Sequence, residues 1–231
     1  MVNKHAGEVR GMFGSVAPRY DFLNHLLSLG IDYRWRRNLR RFLLRELPPR
    51  PKILDLCTGT GDVALTLLPD AEVIGGDFCR PMLLRAQAKA RSSGRVLPLV
   101  EADALRLPFS ANSFDAVSIA FGLRNLEDHR KGLLEIHRVV RPGGRVAVLE
   151  FAVPSNRWIR NLYLWYFHNI LPRVGAFISG DEGAYAYLPA SVHEFLPPSR
   201  LTEEMERAGF SCVQPIQQTF GIVYLHLARK P

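Results

Sequence analysis

Apolar residues follow two different spacings along this chain, and the spacing changes near residue 50. From Tyr20 to Leu29 leucines recur at near-helical intervals, and Gly30 follows as a stop signal. Asp32 is a candidate N-cap for a second helix that runs to about Glu46. Three closely spaced prolines then break the chain. The pattern therefore predicts a helical segment over residues 1–50, followed by a boundary.

Beyond this boundary, short apolar runs alternate with helical stretches. The runs cover 52–57, 72–77, 96–100, 114–121 and 145–151, and the helical stretches cover about 62–68, 80–92 and 127–140. Such alternation predicts crossover units around a parallel sheet. An aromatic-rich insertion follows at about 156–196, then a helix at 199–208 and strands near 211–217 and 222–229. We expect an α/β, Rossmann-like domain over 51–231 with an antiparallel edge, covered by an N-terminal helical lid over 1–50.

Charge is concentrated at the front of the chain. The net charge is +8, and residues 1–50 contribute +6 of it, from 10 Lys or Arg against 4 Asp or Glu. Arg34, Arg37, Arg41 and Arg45 fall on one face of the second predicted helix. Such asymmetry suggests attraction to a polyanion, either nucleic acid or an anionic membrane surface.

Several classes of protein are disfavoured by what the sequence does not contain. It has no uncharged apolar stretch of about 18 residues, and residues 1–14 do not resemble a signal peptide. The three scattered cysteines indicate free thiols in a reducing compartment, so we expect a cytoplasmic protein. Histidines show no metal-ligand spacing and no CxxC occurs, so we expect no metal site. Small buried thiols are common, so Cys57 and Cys79 are weak candidates for nucleophiles.

The strongest local motif is a strand, a glycine-rich turn and a helix start between Ile53 and Asp62. Glycines such as Gly59 and Gly61 let backbone N–H groups approach a ligand at a helix N-terminus. The run fits a dinucleotide fingerprint, but it equally fits the first motif of S-adenosylmethionine (SAM) methyltransferases. In the second interpretation Asp55 ends the strand and faces the amino-acid end of SAM. The motif alone leaves both open, together with a purely structural turn.

Later motifs favour the methyltransferase. Asp77 ends the second strand, where an acid can bind both ribose hydroxyls of NAD or of SAM. Asp103 follows the third strand, where an acid reads the adenine amino group of SAM, and Ser113–Val117 opens the fourth strand with the expected SFDAV. Arg141–Arg145 completes the set before the fifth strand. Together these parts are those of a class I SAM-dependent methyltransferase.

Two segments bear on the substrate. The fourth strand ends in AFGLRN rather than in the (N/D)PP(Y/F) typical of enzymes that methylate base amino groups, so nucleic acid is not expected as a partner. Residues 158–177 hold six aromatics and interspersed arginines. They form either a helix packed on the domain, or an apolar substrate channel or interfacial surface.

The chain resembles the ubiquinone/menaquinone biosynthesis C-methyltransferases over nearly its whole length. The matching segments are VRGMF at 9–13, RYDFLN at 19–24, LSLG at 27–30, WR at 35–36, LDLCTGTGD at 54–62, GDFC at 76–79, FGLRN at 121–125, LEF at 149–151, YAYL at 185–188 and AGF at 208–210. Some members have Ser where Ala120 stands, which implies that one minor cofactor hydrogen bond is missing here.

The resemblance implies SAM-dependent methylation of a ring carbon of a prenylated quinol. It places the cofactor at Asp55, Gly59, Thr60, Gly61, Asp77, Phe78, Asp103, Ala104 and Ala120, and the substrate at Tyr20, Asn24, Phe121, Arg124 and Tyr185. Arg124 is expected to stabilise a developing phenolate or to order a water, and Asn125 to hold that geometry. Tyr20 or Asp21, on a helix that covers the pocket, is expected to assist proton removal.

The substrate and location remain open within this family. Shorter members often act on menaquinone precursors, so demethylmenaquinol is favoured over the ubiquinone-pathway benzoquinol. Another SAM methyltransferase of small molecules or lipids is the next alternative, followed by an NAD-type oxidoreductase or a nucleic-acid-binding protein. Because a prenylated quinol resides in the membrane, we expect peripheral attachment to the inner face of the cytoplasmic membrane. A homodimer is the other partner considered.

Overall fold

A computed structural model describes residues 6–17, 20–170 and 182–231. Its helices are α1 (Ala6–Val16), α2 (Tyr20–Leu27), α3 (Asp32–Leu44), α4 (Asp62–Leu67), α5 (Arg80–Ser92), α6 (His129–Val139), α7 (Arg157–Asn169), α8 (Glu182–Glu194) and α9 (Pro198–Arg207). Its strands are β1 (Lys52–Leu56), β2 (Glu72–Asp77), β3 (Leu99–Glu101), β4 (Phe114–Ala120), β5 (Val140–Phe151), β6 (Ser211–Gln218) and β7 (Val223–Arg229). Short 3-10 turns cover Leu123–Asn125 and Thr219–Gly221.

The seven strands form one sheet in the order β3-β2-β1-β4-β5-β7-β6. Strands β1 to β5 run parallel, and β7 pairs antiparallel with both β5 and β6. The strand order reverses between β1 and β4, which is the switch point where open α/β sheets bind ligands. The predicted α/β fold with an antiparallel edge is confirmed.

Alternate residues of the central strands pack into two hydrophobic cores, one on each face of the sheet. On β1, Leu54 joins the cluster that contains α6, whereas Ile53 joins the cluster that contains α3 and α4. Coverage on both faces explains why these strands read as continuous apolar runs rather than as an alternating pattern. Leu39 and Leu43 of α3 are completely buried in the second cluster. Helix α3 is thus packed on the sheet, and the division at residue 50 stays a prediction.

Two local expectations are wrong. Asp32 does not cap α3: the helix follows Ile31, and the buried Asp32 carboxylate instead contacts Arg36 at 2.9 Å. The fifth strand begins at Val140, five residues before the predicted start. The Pro-Gly-Gly sequence is absorbed into an irregular strand start, where the pairing register with β4 shifts and Gly143 donates its N–H to Lys230 O at 2.9 Å.

The aromatic-rich insertion forms α7 and α8 within the described residues. Tyr163, Phe167 and Val192 are buried in a cluster of their own, against which Phe13 of α1 and Leu27 of α2 pack. The insertion and the N-terminal helices therefore share one apolar contact. In the part of the chain that the structure describes, no helix is long and apolar enough to cross a membrane.

Candidate active site

The glycine-rich turn follows β1 at the switch point of the sheet. Gly59 and Gly61 have φ values of +55° and +84°, which side chains rarely adopt. A side-chain carbon added at Gly61 would also lie 3.1 Å from Ala86, whereas the space beside Gly59 is open. The turn therefore needs Gly61 for close packing against α5, and it leaves Gly59 facing an open cleft.

Asp55 lies behind this turn and is 1% exposed. Thr58 and Ser118 donate their hydroxyls to its two carboxylate oxygens at 2.6 and 2.7 Å. Burial raises the pKa of Asp55 to about 6, against the opposing effect of these hydrogen bonds. The carboxylate ties the turn to β4.

Asp77, at the end of β2, faces the turn from the neighbouring strand. Its oxygens accept the backbone N–H groups of Gly59 at 2.8 Å and Cys79 at 2.9 Å. Burial raises the pKa of Asp77, and backbone hydrogen bonds from Cys79, Gly59 and Phe78 partly oppose it. A carboxylate has about four lone pairs, so Asp77 can still accept a further hydrogen bond from a ligand.

A cleft of about 850 Å³, counted with the solvent at its mouth, opens along these strand ends. The predicted cofactor residues among its walls are Gly59, Asp77, Phe78, Asp103, Ala104 and Ala120, and Phe121 and Asn125 line it further along. Val9 and Phe13 of α1 form another wall. A buried carboxylate for hydroxyls and apolar walls for a base fit SAM: Asp77 would hold its ribose, and Phe78 and Met82 its adenine.

Helix α2 is attached to the glycine turn by charged side chains. Thr60 donates its hydroxyl to Asp21 of α2, and Lys89 of α5 lies 2.5 Å from the same carboxylate. Lys89 also contacts Asp62, at the start of α4, at 2.7 Å. Arg36 of α3 binds Asp62 at 2.9 Å. Two N-terminal helices are therefore held against the cofactor turn.

Arg124 occupies the turn after β4. Its Nη1 lies 2.8 Å from Glu150 Oε2 and also donates to the carbonyl oxygen of Phe121. Phe121 has a φ of +57°, a conformation that costs a non-glycine residue on the order of 1–3 kcal/mol and clusters at functional sites. The guanidinium carbon lies 5.4 Å from the centre of the Phe151 ring. The cation is thus fixed between a carboxylate and an aromatic wall.

Asn125 connects this cation to the helical insertion. Its side chain donates to Phe121 O at 3.2 Å and accepts the hydroxyl of Tyr187 from α8 at 3.1 Å. Cys57 also lines the cleft, and burial and the nearby Asp77 carboxylate raise the pKa of its thiol well above the usual range, which disfavours the nucleophilic thiolate.

The structure brings most of the predicted residues to one edge of the sheet. Asp103 accepts the backbone N–H of Leu105 at 2.8 Å and lines the cleft. Asn24 lies half-buried on α2. The side chains of Tyr20 and Tyr185 lie outside the described residues, so their roles stay predictions.

Sequence reasoning missed four residues of this region. Lys89 belongs to an ordinary helical pattern, so nothing in the sequence singles it out, and Tyr163 stands out only as one of the six aromatics of residues 158–177, without a role of its own. Glu150 and Tyr187 lie in the LEF and YAYL segments that carry the resemblance, so the match of those segments to the family could have pointed to them.

Comparison with known proteins agrees with this geometry. The ubiE/COQ5 methyltransferase family matches residues 1–230. A demethylmenaquinone methyltransferase of Thermus thermophilus is 50% identical over 95% of this chain and 100% of its own length. A ubiquinone/menaquinone biosynthesis C-methyltransferase of Geobacter sulfurreducens is 41% identical, over 96% and 88%. A SAM-dependent methyltransferase structure from Thermotoga maritima shares the fold, with a TM-score of 0.64 and 17% identity over 96% of this chain and 100% of that one.

These matches decide between the alternatives that the glycine motif left open. The dinucleotide interpretation is not supported, and the predicted family, enzyme class and methyl donor, SAM, are confirmed. The cleft lined by Gly59 and Asp77 fits this cofactor. The chain belongs to the ubiE/COQ5 methyltransferase family.

Proposed function

We propose that this methyltransferase transfers the methyl group of SAM to a ring carbon of a prenylated demethylmenaquinol. Quinone C-methylation, predicted from the motifs, is confirmed by the family and its relatives. Relatives at 50% and 45% identity are named for demethylmenaquinone, which supports the menaquinone precursor over the benzoquinol. The observation that carries the proposal is the buried Arg124–Glu150 pair, which lies against the Phe151 ring and immediately precedes Asn125, a residue of the cleft wall.

The chemistry requires a nucleophilic ring carbon and an electrophilic methyl group. SAM supplies the methyl group on a positively charged sulfur. The quinol loses a hydroxyl proton, and its adjacent ring carbon bonds to the methyl group while the methyl–sulfur bond breaks and leaves a neutral thioether. The hydrogen on that carbon then leaves as a proton and the oxygen regains one, so that the ring becomes aromatic again. Because an anion and a cation combine into neutral products, a dry, apolar site favours the reaction.

The residues divide this work. Asp77 and the glycine turn orient the cofactor, and Phe121 and Asn125, which flank Arg124 in sequence, line the cleft. Arg124 is too basic to accept a proton, so it stabilises the phenolate. Asp21 is engaged by Thr60 and Lys89, so we assign it to holding α2 over the turn.

A direct assay tests this function. The purified protein, supplied with SAM and reduced short-tail demethylmenaquinone, should yield a product heavier by one ring methyl group, detected by mass spectrometry. The demethylated benzoquinol of the ubiquinone pathway is the matched comparison. Turnover of neither quinol would overturn the proposal, and a strong preference for the benzoquinol would reassign the substrate.

We further propose that the protein meets this substrate at an anionic membrane surface on the cytoplasmic side. Arg34, Arg37 and Arg41 of α3 and Arg45, the residue that follows it, are all exposed, and no ion pair involves them among the described residues. On the opposite face of the same helix, Arg36 and Arg40 are paired with Asp62 and Asp70. The four outward arginines are thus free to bind phosphates, each contributing about 1 kcal/mol near an anionic leaflet.

Apolar side chains accompany these charges. At the corner between α2 and α3, Leu26, Leu29 and Tyr33 are 40%, 82% and 53% exposed. Tyr166 of α7 donates its hydroxyl to Leu27 O at 2.8 Å, which joins this corner to α7. One face of α7 exposes Trp158, Leu162 and Trp165. Exposed aromatic and aliphatic residues beside basic ones are the composition of interfacial surfaces.

Vesicle sedimentation separates this idea from a merely solvated helix. Replacing Arg34, Arg37, Arg41 and Arg45 by Gln should weaken sedimentation with anionic vesicles at about 0.1 M salt. The control replaces four other exposed arginines, Arg80, Arg85, Arg91 and Arg106, with the same loss of charge. If both variants lost sedimentation equally, net charge alone would explain the binding, and docking through this helix would be wrong. Unchanged sedimentation of the first variant would also overturn membrane docking.

A further inference from the structure

Two buried hydrogen-bond donors, one on Arg124 and one on Tyr163, have no partner among the residues described. They are Nε of Arg124 and the hydroxyl of Tyr163, and each residue is only 5% exposed. Buried side-chain donors are nearly always satisfied, so two orphans in one region indicate a ligand that supplies the acceptor.

The two donors belong to the same aromatic wall. The Arg124 guanidinium lies 5.4 Å from the Phe151 ring centre, and Phe151 lies 6.5 Å from Phe167. Phe167 is in turn 4.1 Å from the ring of Tyr163. Two other donors of this region are engaged, because Arg124 Nη1 binds Glu150 and the Tyr187 hydroxyl binds Asn125.

Electrostatics define which acceptor suits this position. Burial raises the pKa of Tyr163, and the positive charge of Arg124 opposes that rise only in part, so its hydroxyl keeps its proton and donates. The Nε–H group of a guanidinium can only donate as well. Two donors, one of them cationic, within aromatic surroundings match a phenolic oxygen that carries negative charge.

We propose that Arg124 Nε and the Tyr163 hydroxyl both donate to one oxygen of the bound quinol and hold it as the phenolate. This rests on the proposed function and assigns Tyr163, on α7, as a further substrate-binding residue. The aromatic insertion would then take part in the chemistry. Its helix α7 supplies one of the two donors that stabilise the phenolate, and the phenolate makes the adjacent ring carbon nucleophilic.

Ionisation of a bound phenol tests the pair without turnover. The probe is 1-naphthol, added to the full chain loaded with S-adenosylhomocysteine, and its ionisation is followed by absorbance against pH. The bound probe should ionise at a lower pH than the free probe, because the site binds the anion more tightly than the neutral phenol. Tyr163→Phe should reduce this preference for the anion at least tenfold. Tyr166→Phe is the control, because it removes a hydroxyl from the same helix that binds only the backbone of α2.

The outcomes separate this proposal from the proposed function. Identical titrations in the parent and Tyr163→Phe would overturn the assignment even if the enzyme methylates demethylmenaquinol. Failure of 1-naphthol to bind the parent would overturn it as well. In the parent, 1-methoxynaphthalene should bind at least fivefold more weakly than ionised 1-naphthol. Equal binding would show that Arg124 Nε and the Tyr163 hydroxyl donate only to water, and would overturn the proposal.

Discussion

Arg124 and Glu150 face each other at 2.8 Å, with side chains only 6% and 3% exposed. They come from different elements, the 3-10 turn after β4 and the end of β5. Their separation in sequence is 26 residues, so only the pairing of β4 with β5 brings them together. Because a buried cation without its partner is costly, Glu150 both fixes the direction of Arg124 and makes its burial possible.

Loss of the carboxylate should therefore destabilise the protein. We expect Glu150→Ala to lower the free energy of unfolding by about 3–5 kcal/mol, measured by urea denaturation. The control is Glu203→Ala, which removes a 42% exposed carboxylate that also pairs with arginine and should change stability by less than about 1 kcal/mol. Equal effects of the two variants would contradict the buried-pair argument.

Arg124→Lys separates charge from geometry. Lysine keeps the positive charge but has no planar fork, so the contacts to Glu150 and to the phenolate cannot both be kept. We expect kcat to fall by on the order of 10² while the affinity for SAM stays unchanged, as for a group that acts in the transition state. Steady-state kinetics and calorimetry measure both. Normal turnover would remove Arg124 from the mechanism.

Asp77 is the residue on which cofactor affinity should depend most. Asp77→Ala should weaken SAM binding by about 2–3 kcal/mol, because charge-assisted hydrogen bonds to the ribose are lost. Glu72→Ala, at the other and exposed end of β2, is the matched control. If titration calorimetry gave the parent affinity for Asp77→Ala, the ribose assignment would be wrong.

Much of the fold followed from local sequence signals. Hydrophobic runs located the strands, because both faces of this sheet are covered and buried strands read as continuous apolar segments. The position of an acid at the end of a strand led to Asp77, and the family resemblance of the FGLRN segment led to Arg124. The start of β5 was misjudged since Pro142 and Gly143 are turn formers, yet pairing with β4 and Lys230 draws them into the sheet.

Contacts between distant helices were beyond such signals. Asp32 looks like a helix cap because that is the local preference of aspartate, but His25 of α2 contacts its carboxylate at 2.6 Å, and Arg36, one turn further along α3, pairs with it as well. Lys89 and Tyr163 acquire their significance only when α5 meets α2 and when α7 meets Phe151. Periodicity reports which side of a helix is buried, and not what it will touch.

Lys89 offers a test of how the N-terminal helices are held. Its ammonium group contacts both Asp21 and Asp62, so Lys89→Met should remove the only cation paired with Asp21 among the described residues, leave Asp62 with Arg36 alone, and loosen α2. We expect faster limited proteolysis within residues 1–50 and an affinity for SAM that is several-fold weaker. Arg91→Met, exposed on the same helix, should change neither. Unchanged proteolysis of Lys89→Met would show that α2 is held by its apolar contacts instead.

Asp55 should make the stability of the ligand-free protein depend on pH. Its pKa is about 6 in the folded protein against 3.8 for the ordinary group, because its carboxylate is buried. Between these values the folded state holds a proton that the unfolded state has lost, so the stability due to this group falls as pH rises from about 4 to about 6 and stays low above that.

Replacing the carboxylate by an amide removes that penalty. Asp55→Asn should stabilise the ligand-free protein at pH 7.5, by at most about 3 kcal/mol for a shift of roughly two pKa units, and should have little effect at pH 4. Thermal unfolding at both pH values measures it. Asp70→Asn, a surface aspartate paired with Arg40, is the control and should show no such gain at pH 7.5. If Asp55→Asn destabilised the protein equally at both pH values, the hydrogen bonds from Thr58 and Ser118, and not the buried charge, would determine the stability of this turn.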